Sequence, residues 1–238
     1  MAIAAMVMTA CKEKPVGPDT PDDPVDEPEE YVQPIDIDGS FDDWAKLDAS
    51  KVVTAKCADG SSKPDLKLMK VYSDENFIFI YVEYDFSNYG ADELTTSHFD
   101  IHLNGDNNKA TGGWNGQWAQ GDTPCIDLMC QGDIIDETGA FIDFDPGMYK
   151  YIGDANTSEW SWDDVTVAGF VTAKGNKKGM EIQLTRELYP LGTMSEDITL
   201  GVEILVNGWD ATGALPNAEA TEDNPAGQSD LLFVPMNK

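Results

Sequence analysis

Leu66-Lys67-Leu68-Met69-Lys70-Val71-Tyr72, then Ser73-Asp74-Glu75-Asn76, then Phe77-Ile78-Phe79-Ile80-Tyr81-Val82: this stretch decides the fold. Two short runs of aliphatic, β-branched and aromatic side chains flank four polar residues, the pattern of a hairpin with a four-residue loop. The second run is apolar on both faces, which suits a central strand. Comparable runs recur at 52–55, 97–103, 125–130, 165–173, 180–184, 198–206 and 230–234. In the run 198–206, Ile198, Leu200, Val202, Ile204 and Val206 share one face, leaving Thr199 and Glu203 on the other. Helical periodicity is confined to a single turn at Arg186-Glu187-Leu188-Tyr189, stopped by Pro190. The pattern predicts an all-β, two-sheet antiparallel β-sandwich, jelly-roll-like, over residues 35–238.

Composition narrows the function. The 238 residues carry 15 Lys+Arg against 44 Asp+Glu, a net charge of −29, and Arg186 is the only arginine. A nucleic-acid binder needs a basic footprint to displace counterions, and a polybasic membrane contact needs the same. Both classes are excluded. With 41% hydrophobic and 10% aromatic residues the chain is too apolar to be wholly disordered.

The N-terminus reads differently from the rest. Residues 1–11, Met1-Ala-Ile-Ala-Ala-Met-Val-Met-Thr-Ala-Cys11, form an uncharged apolar run that is too short to span a bilayer, which takes about 20 residues. They fit the end of a signal peptide and its cleavage site. Met8, Thr9 and Ala10 before Cys11 resemble a bacterial lipobox, which implies lipidation of Cys11 as the mature N-terminus. Residues 1–10 lack the basic n-region of that pattern, and a buried N-terminal strand with an ordinary cysteine is the alternative. Residues 12–34 hold six prolines and eight acidic side chains, a disordered tether kept extended by charge and proline. Acidic residues soon after such a cysteine resemble the export signals of surface lipoproteins in Bacteroidetes, with Lys12-Glu13-Lys14 a loose match. The expected location is the outer membrane, surface-exposed or periplasmic, with membrane contact only through the lipid anchor.

Four motifs occur in order: Ile35-Asp36-Ile37-Asp38-Gly39-Ser40-Phe41-Asp42-Asp43-Trp44, the run 71–79, the loop Asn104–Gly112, and Gly179-Met180-Glu181-Ile182-Gln183-Leu184. Together they resemble the carbohydrate-binding module family 9-like (DOMON-like) β-sandwich over nearly all of residues 35–238. The resemblance implies a sandwich with structural calcium and, in sugar-binding members, tryptophans that stack on the ligand. It also implies an oligo- or polysaccharide partner and neighbouring glycan-degrading or transport proteins.

Several side chains carry candidate chemistry. Asn104, Asp106 and Asn108 alternate through a tight loop, with the Ala110 carbonyl following, and oxygens so spaced can wrap a calcium ion. Asp100 is a further candidate ligand. Lys109 stands where an EF-hand loop has glycine, so the loop is not an EF-hand, and a solvated Asn/Gly turn is the competing reading. Trp114 and Trp118 lie in a glycine-rich polar segment, and Trp209 follows Asn207-Gly208. A sugar offers apolar C–H faces and hydroxyl edges, so its site needs flat aromatic platforms with amides or carboxylates beside them. Trp114, Trp118 and Trp209 with Asn115, Gln117, Gln120, Asn207 and Asp210 supply that mixture, unless these indoles fold back to cap the sandwich. Trp44 reads as a core plug. Trp160 and Trp162 would point to one side of a strand.

His98, Asp100 and His102 would share one face of a strand. Such a trio suits zinc or iron, but alternation against Phe99, Ile101 and Leu103 produces the same pattern. Cys57, Cys125 and Cys130 permit one bridge or three thiols. The sequence therefore predicts non-catalytic glycan binding by a lipid-anchored envelope protein. A glycoside hydrolase, needing two carboxylates across a cleft, and a structural or adhesive surface protein with a protein partner are the alternatives.

Overall fold

The hairpin forms as the sequence predicts. β2 (Leu66–Ser73) and β3 (Phe77–Tyr84) pair antiparallel, from Ser73 opposite Ile78 to Leu66 opposite Tyr84. Asp74 closes the connection, its Oδ1 accepting the N–H groups of Asn76 (2.9 Å) and Phe77 (2.8 Å). This is the short Asx-type turn that lets a chain reverse without leaving donors unpaired. These details come from a computed structural model that describes residues 30–90, 93–113, 118, 125–152 and 160–238. The chain divides into two units, Met1–Gln33 and Pro34–Lys238, and every element below belongs to the second. The signal-peptide end, Cys11 and tether residues 12–29 lie outside the described residues.

Two antiparallel sheets make the sandwich. The first runs β1 (Val53–Lys56), β2, β3, β9 (Gly179–Thr185), β8 (Val171–Asn176), so β3 is central as its two apolar faces predict. The second runs β11 (Asp210–Leu215), β10 (Ile198–Val206), β4 (Ser97–Asn104), β5 (Leu128–Ile135), β6 (Gly147–Tyr151), β7 (Trp160–Asp164), with β12 (Leu232–Val234) also on β10. Between the sheets, Ile78, Ile80 and Val82 pack with Phe99, Ile101, Leu103, Leu200, Val202 and Ile204. Each such side chain contributes roughly 1.5–3 kcal/mol by leaving water. The helical turn appears as a short 3-10 segment at Arg186–Leu188.

The outer face of the first sheet is covered by the segment that opens the domain. Ile35 and Trp44 bury Phe79, with Phe41 and Tyr81 alongside, so Trp44 is the core plug its motif predicts. Glu181, fully buried on β9, clamps this segment through Oε1, which accepts the N–H groups of Asp38 (2.8 Å) and Gly39 (2.5 Å). Gly39 has φ 85°, a left-handed conformation that a side chain would strain. Burial pushes the Glu181 carboxyl above its ordinary value, against the lowering effect of those two backbone donors.

The only arginine is structural. Arg186 is buried and donates to the carbonyls of Ser195 (2.6 Å) and Glu196 (3.0 Å) and to Ser73 Oγ (2.5 Å). Cys57, Cys125 and Cys130 form no disulfide. β6, β7 and β11 were not expected from the sequence, and the strand expected at 165–173 lies further on, at Val171–Asn176.

Candidate functional site

The outer face of the second sheet carries the polar and aromatic side chains. On β4, Phe99, Ile101 and Leu103 go to the core, so His98, Asp100 and His102 point outward. Residues directly opposite across a strand pair share a face. By register, Asp133, Gln131 and Met129 of β5 stand opposite His98, Asp100 and His102. Leu205, Glu203 and Gly201 of β10 stand on the other side of the same three. Tyr149 of β6 follows beyond Met129, and β7 closes the sheet with Trp160 and Trp162.

Two exposed tryptophans border this face, each 65% accessible. Trp209 sits in the turn between β10 and β11, where Asn207 (φ 49°) and Gly208 (φ 97°) take the left-handed conformations that such Asn-Gly turns favour. Its indole stacks on His98, with centroids 4.3 Å apart and planes 17° from parallel. His98 Nδ1 in turn lies 2.5 Å from Asp133 Oδ1. Trp162 packs edge-on against Tyr149, centroids 5.5 Å apart. Three strand spacings, about 14 Å, separate β4 from β7.

Trp118 is not a surface platform. It is fully buried, donates Nε1–H to the Pro216 carbonyl (3.1 Å) and tilts over His102 at 4.9 Å. A Cβ on Gly201 would come within 2.6 Å of its ring, so the indole lies directly on the glycine backbone of β10. With Ile126, Tyr151, Ala214 and half-buried Trp160 it forms a small satellite core outside the sheet. The physical reason is that Gly201 leaves a gap on this face of β10, where an apolar ring gains more by burial than by exposure. Trp114, Asn115, Gln117 and Gln120 lie outside the described residues. Asn207 and Asp210 stay near Trp209, both exposed, but the Asn207 Oδ1 is engaged by the Thr95 N–H at 2.8 Å.

Asp100 is not brought to the Asn104–Ala110 loop. Four residues of strand, about 13 Å, separate it from Asn104, and its carboxylate accepts from Gln131 Nε2 at 2.9 Å. It faces Glu203 and His102 instead, all three buried. Burial pushes Asp100 up to about 8 and Glu203 to about 7, the latter partly offset by Lys63, and pushes His102 down to about 3. In the loop itself, Asp106 Oδ1 accepts the Asn108 N–H (2.9 Å) and Asn108 Oδ1 the Ala110 N–H (3.0 Å). Sequence reading missed Asp127, which accepts the Gly105 and Asp106 N–H groups at 3.0 and 3.3 Å. Burial and then the neighbouring Asp106 carboxylate raise Asp127 to about 7. A cavity of about 380 Å³ opens beside the pair, with Thr111 and Tyr189 in its wall.

A larger cavity, about 620 Å³, lies at the end of β3, lined by Phe41, Tyr81, Phe86, Phe141, Lys177 and Lys178 among others.

No protein-family model matches the chain, and no curated protein is similar to it. Among solved structures it is similar to a carbohydrate-binding module of family 9 from Caldicellulosiruptor kristjanssonii in complex with glucose. The identity is 13%, the likeness covers 87% of this chain and 93% of that chain, and the TM-score is 0.39. At that distance no residue role is transferred.

Besides Asp127, the sequence reading gave no role to Tyr149, Gln131, Asp133 or Glu203. Their common signal is outward alternation on strands whose neighbours are distant in sequence, which becomes readable only once the pairing is known.

Proposed function

We propose that the protein binds carbohydrate without turning it over, on the outer face of the second sheet between Trp209 and Trp162. The observation that carries this reading is the pair of exposed indoles, each backed by a second ring, bordering a strip that includes the partly exposed side chains of Gln131 and Asp133. Flat rings suit pyranose C–H faces, and an amide and a carboxylate suit hydroxyl edges. On this reading Cys11 carries the lipid anchor, residues 12–34 hold the domain away from an outer membrane, and neighbouring glycan-degrading or transport proteins share the ligand. Support for the anchor comes from the lipobox resemblance alone.

A calcium ion in the Asn104–Ala110 loop belongs to the same reading. The fit rests on two adjacent carboxylates, Asp106 and Asp127, whose mutual repulsion a hard cation relieves, beside a polar-walled cavity. Asp106, Asp127, Asn104, Asn108 and the Ala110 carbonyl are the residues that would hold it.

Hydrolysis fits the geometry less well. Asp100 and Glu203 are close and raised, but they are 3% and 4% exposed beneath the sheet's aromatic cover, where no glycosidic bond reaches them.

The experiment is a binding screen of the chain against plant and host polysaccharides, followed by Trp209→Ala and Trp162→Ala. Saturable binding lost in both variants supports the site. Binding that survives both and disappears in Phe86→Ala moves it to the cavity at the end of β3. Product release identifies an enzyme, and silence toward every glycan leaves an adhesive protein with a protein partner.

A further inference from the structure

Beside Trp118, three ionisable side chains from two strands meet. Asp100 and His102 rise from one face of β4, and Glu203 of β10 stands directly opposite Asp100. One donor atom from each lies within 4.8 Å of the others. His102 Nε2 is 4.0 Å from Asp100 Oδ2 and 3.9 Å from Glu203 Oε2, beyond hydrogen-bond length in both cases. The residues are 3%, 1% and 4% exposed. Asp100 Oδ1 has no hydrogen-bond partner among the described residues, although burying such an oxygen without one is costly. Trp118 and Trp160 stand beside the imidazole, 4.9 and 5.9 Å from it.

We propose that Asp100, His102 and Glu203 hold one divalent transition-metal ion of the zinc type in a buried site, with water taking the fourth position. One imidazole and two carboxylates match zinc, whereas an imidazole is a poor ligand for calcium. Bonds of 2.0–2.2 Å in a tetrahedron set donors roughly 3.4 Å apart, so each imidazole–carboxylate distance closes by about half an ångström on binding. Supporting groups are already in place. Gln131 donates to Asp100 Oδ2, and Lys63 Nζ lies 3.6 Å from Glu203 Oε1, on the oxygen turned away from His102. The ion would tie β4 to β10 at the centre of the second sheet, next to the proposed saccharide face, with which it shares Gln131.

The test uses the full chain, stripped with a chelator and titrated with Co(II) and then Zn(II). One equivalent is expected, with visible ligand-field absorption and no thiolate charge-transfer band. Loss of a supporting hydrogen bond alone weakens such sites 10–100-fold, so Asp100→Asn and Glu203→Gln each weaken binding by more than about 100-fold. Both test variants are near-isosteric, and circular dichroism checks their folding. If either fails to fold, X-ray absorption of the metal-loaded wild type decides, one nitrogen with oxygens supporting the site and any sulfur overturning it. No uptake by the wild type, or equal affinity in folded Asp100→Asn and Glu203→Gln, also overturns it.

Discussion

Trp209 lies flat on His98, ring centroids 4.3 Å apart, at the edge of a sheet face whose other border is Trp162. The contact fixes an exposed indole in one orientation, and Asp133, 2.5 Å from His98 Nδ1, fixes the imidazole. A platform held this way loses little freedom when a ligand arrives. Trp209→Ala should therefore weaken glycan binding at least about tenfold, and His98→Ala or Asp133→Ala less, because they loosen the platform without removing it. Calorimetric titration reads the ranking. Equal affinities in all three variants would remove this face from the ligand's path.

Trp118 predicts the opposite phenotype. Buried against Gly201 and His102, it should cost about 3–5 kcal/mol of stability when replaced by alanine. Gly201→Ala drives a methyl to within 2.6 Å of the ring and should cost about 1–3 kcal/mol by overpacking. In the Trp118→Ala background the same glycine change should be nearly free, a coupling that a double-mutant cycle in urea measures directly.

Glu181 supplies a pH dependence. Its folded carboxyl titrates above the unfolded value of 4.5 because it is buried. Between those two values the folded state holds a proton that the unfolded state has released, so stability falls as pH rises from about 4.5 through the raised value. Above it the loss is complete. Glu181→Gln keeps an acceptor for the Asp38 and Gly39 N–H groups and has no proton to lose. Its stability relative to wild type should improve as pH rises above about 4.5, and a variant that tracks wild type through that rise would contradict the assignment.

Calcium has its own readout. An ion present at about a hundred times its dissociation constant stabilises by about 2.7 kcal/mol, which for a domain of this size is roughly 5–10 °C in melting temperature. With the proposed zinc site kept loaded, removing calcium should lower the melt by that amount, adding it back should restore the melt, and Asp127→Asn should abolish the response. A melt indifferent to chelator and to calcium would empty the loop.

How far the sequence reached depends on the element. β2, β3, β4, β9 and β10 were legible because each carries a run of aliphatic, β-branched or aromatic residues on the core face. β11, Asp210-Ala211-Thr212-Gly213-Ala214-Leu215, was not, since its residues have weak strand preference and its pairing with β10 holds it extended. β7 was noticed as two tryptophans on one side rather than as an edge strand. Asp127 falls inside the run 125–130 that reads as a strand, yet it stands just ahead of β5 and accepts the Gly105 and Asp106 N–H groups of the Asn104–Ala110 loop.

Alternation with period two is a local property, so the chain alone determined strands, their inner faces and a sandwich, and its charge excluded nucleic acid and a polybasic membrane contact. Whether an indole is a shelf or a plug is not local. Trp118 and Trp209 look alike in sequence, yet a single glycine of β10 waits beneath one and a histidine at the sheet's rim beneath the other. Glu203 likewise acquires neighbours only when β10 lies down beside β4. Those outcomes belong to tertiary structure, because they follow from which distant segments share a hydrogen-bonded register.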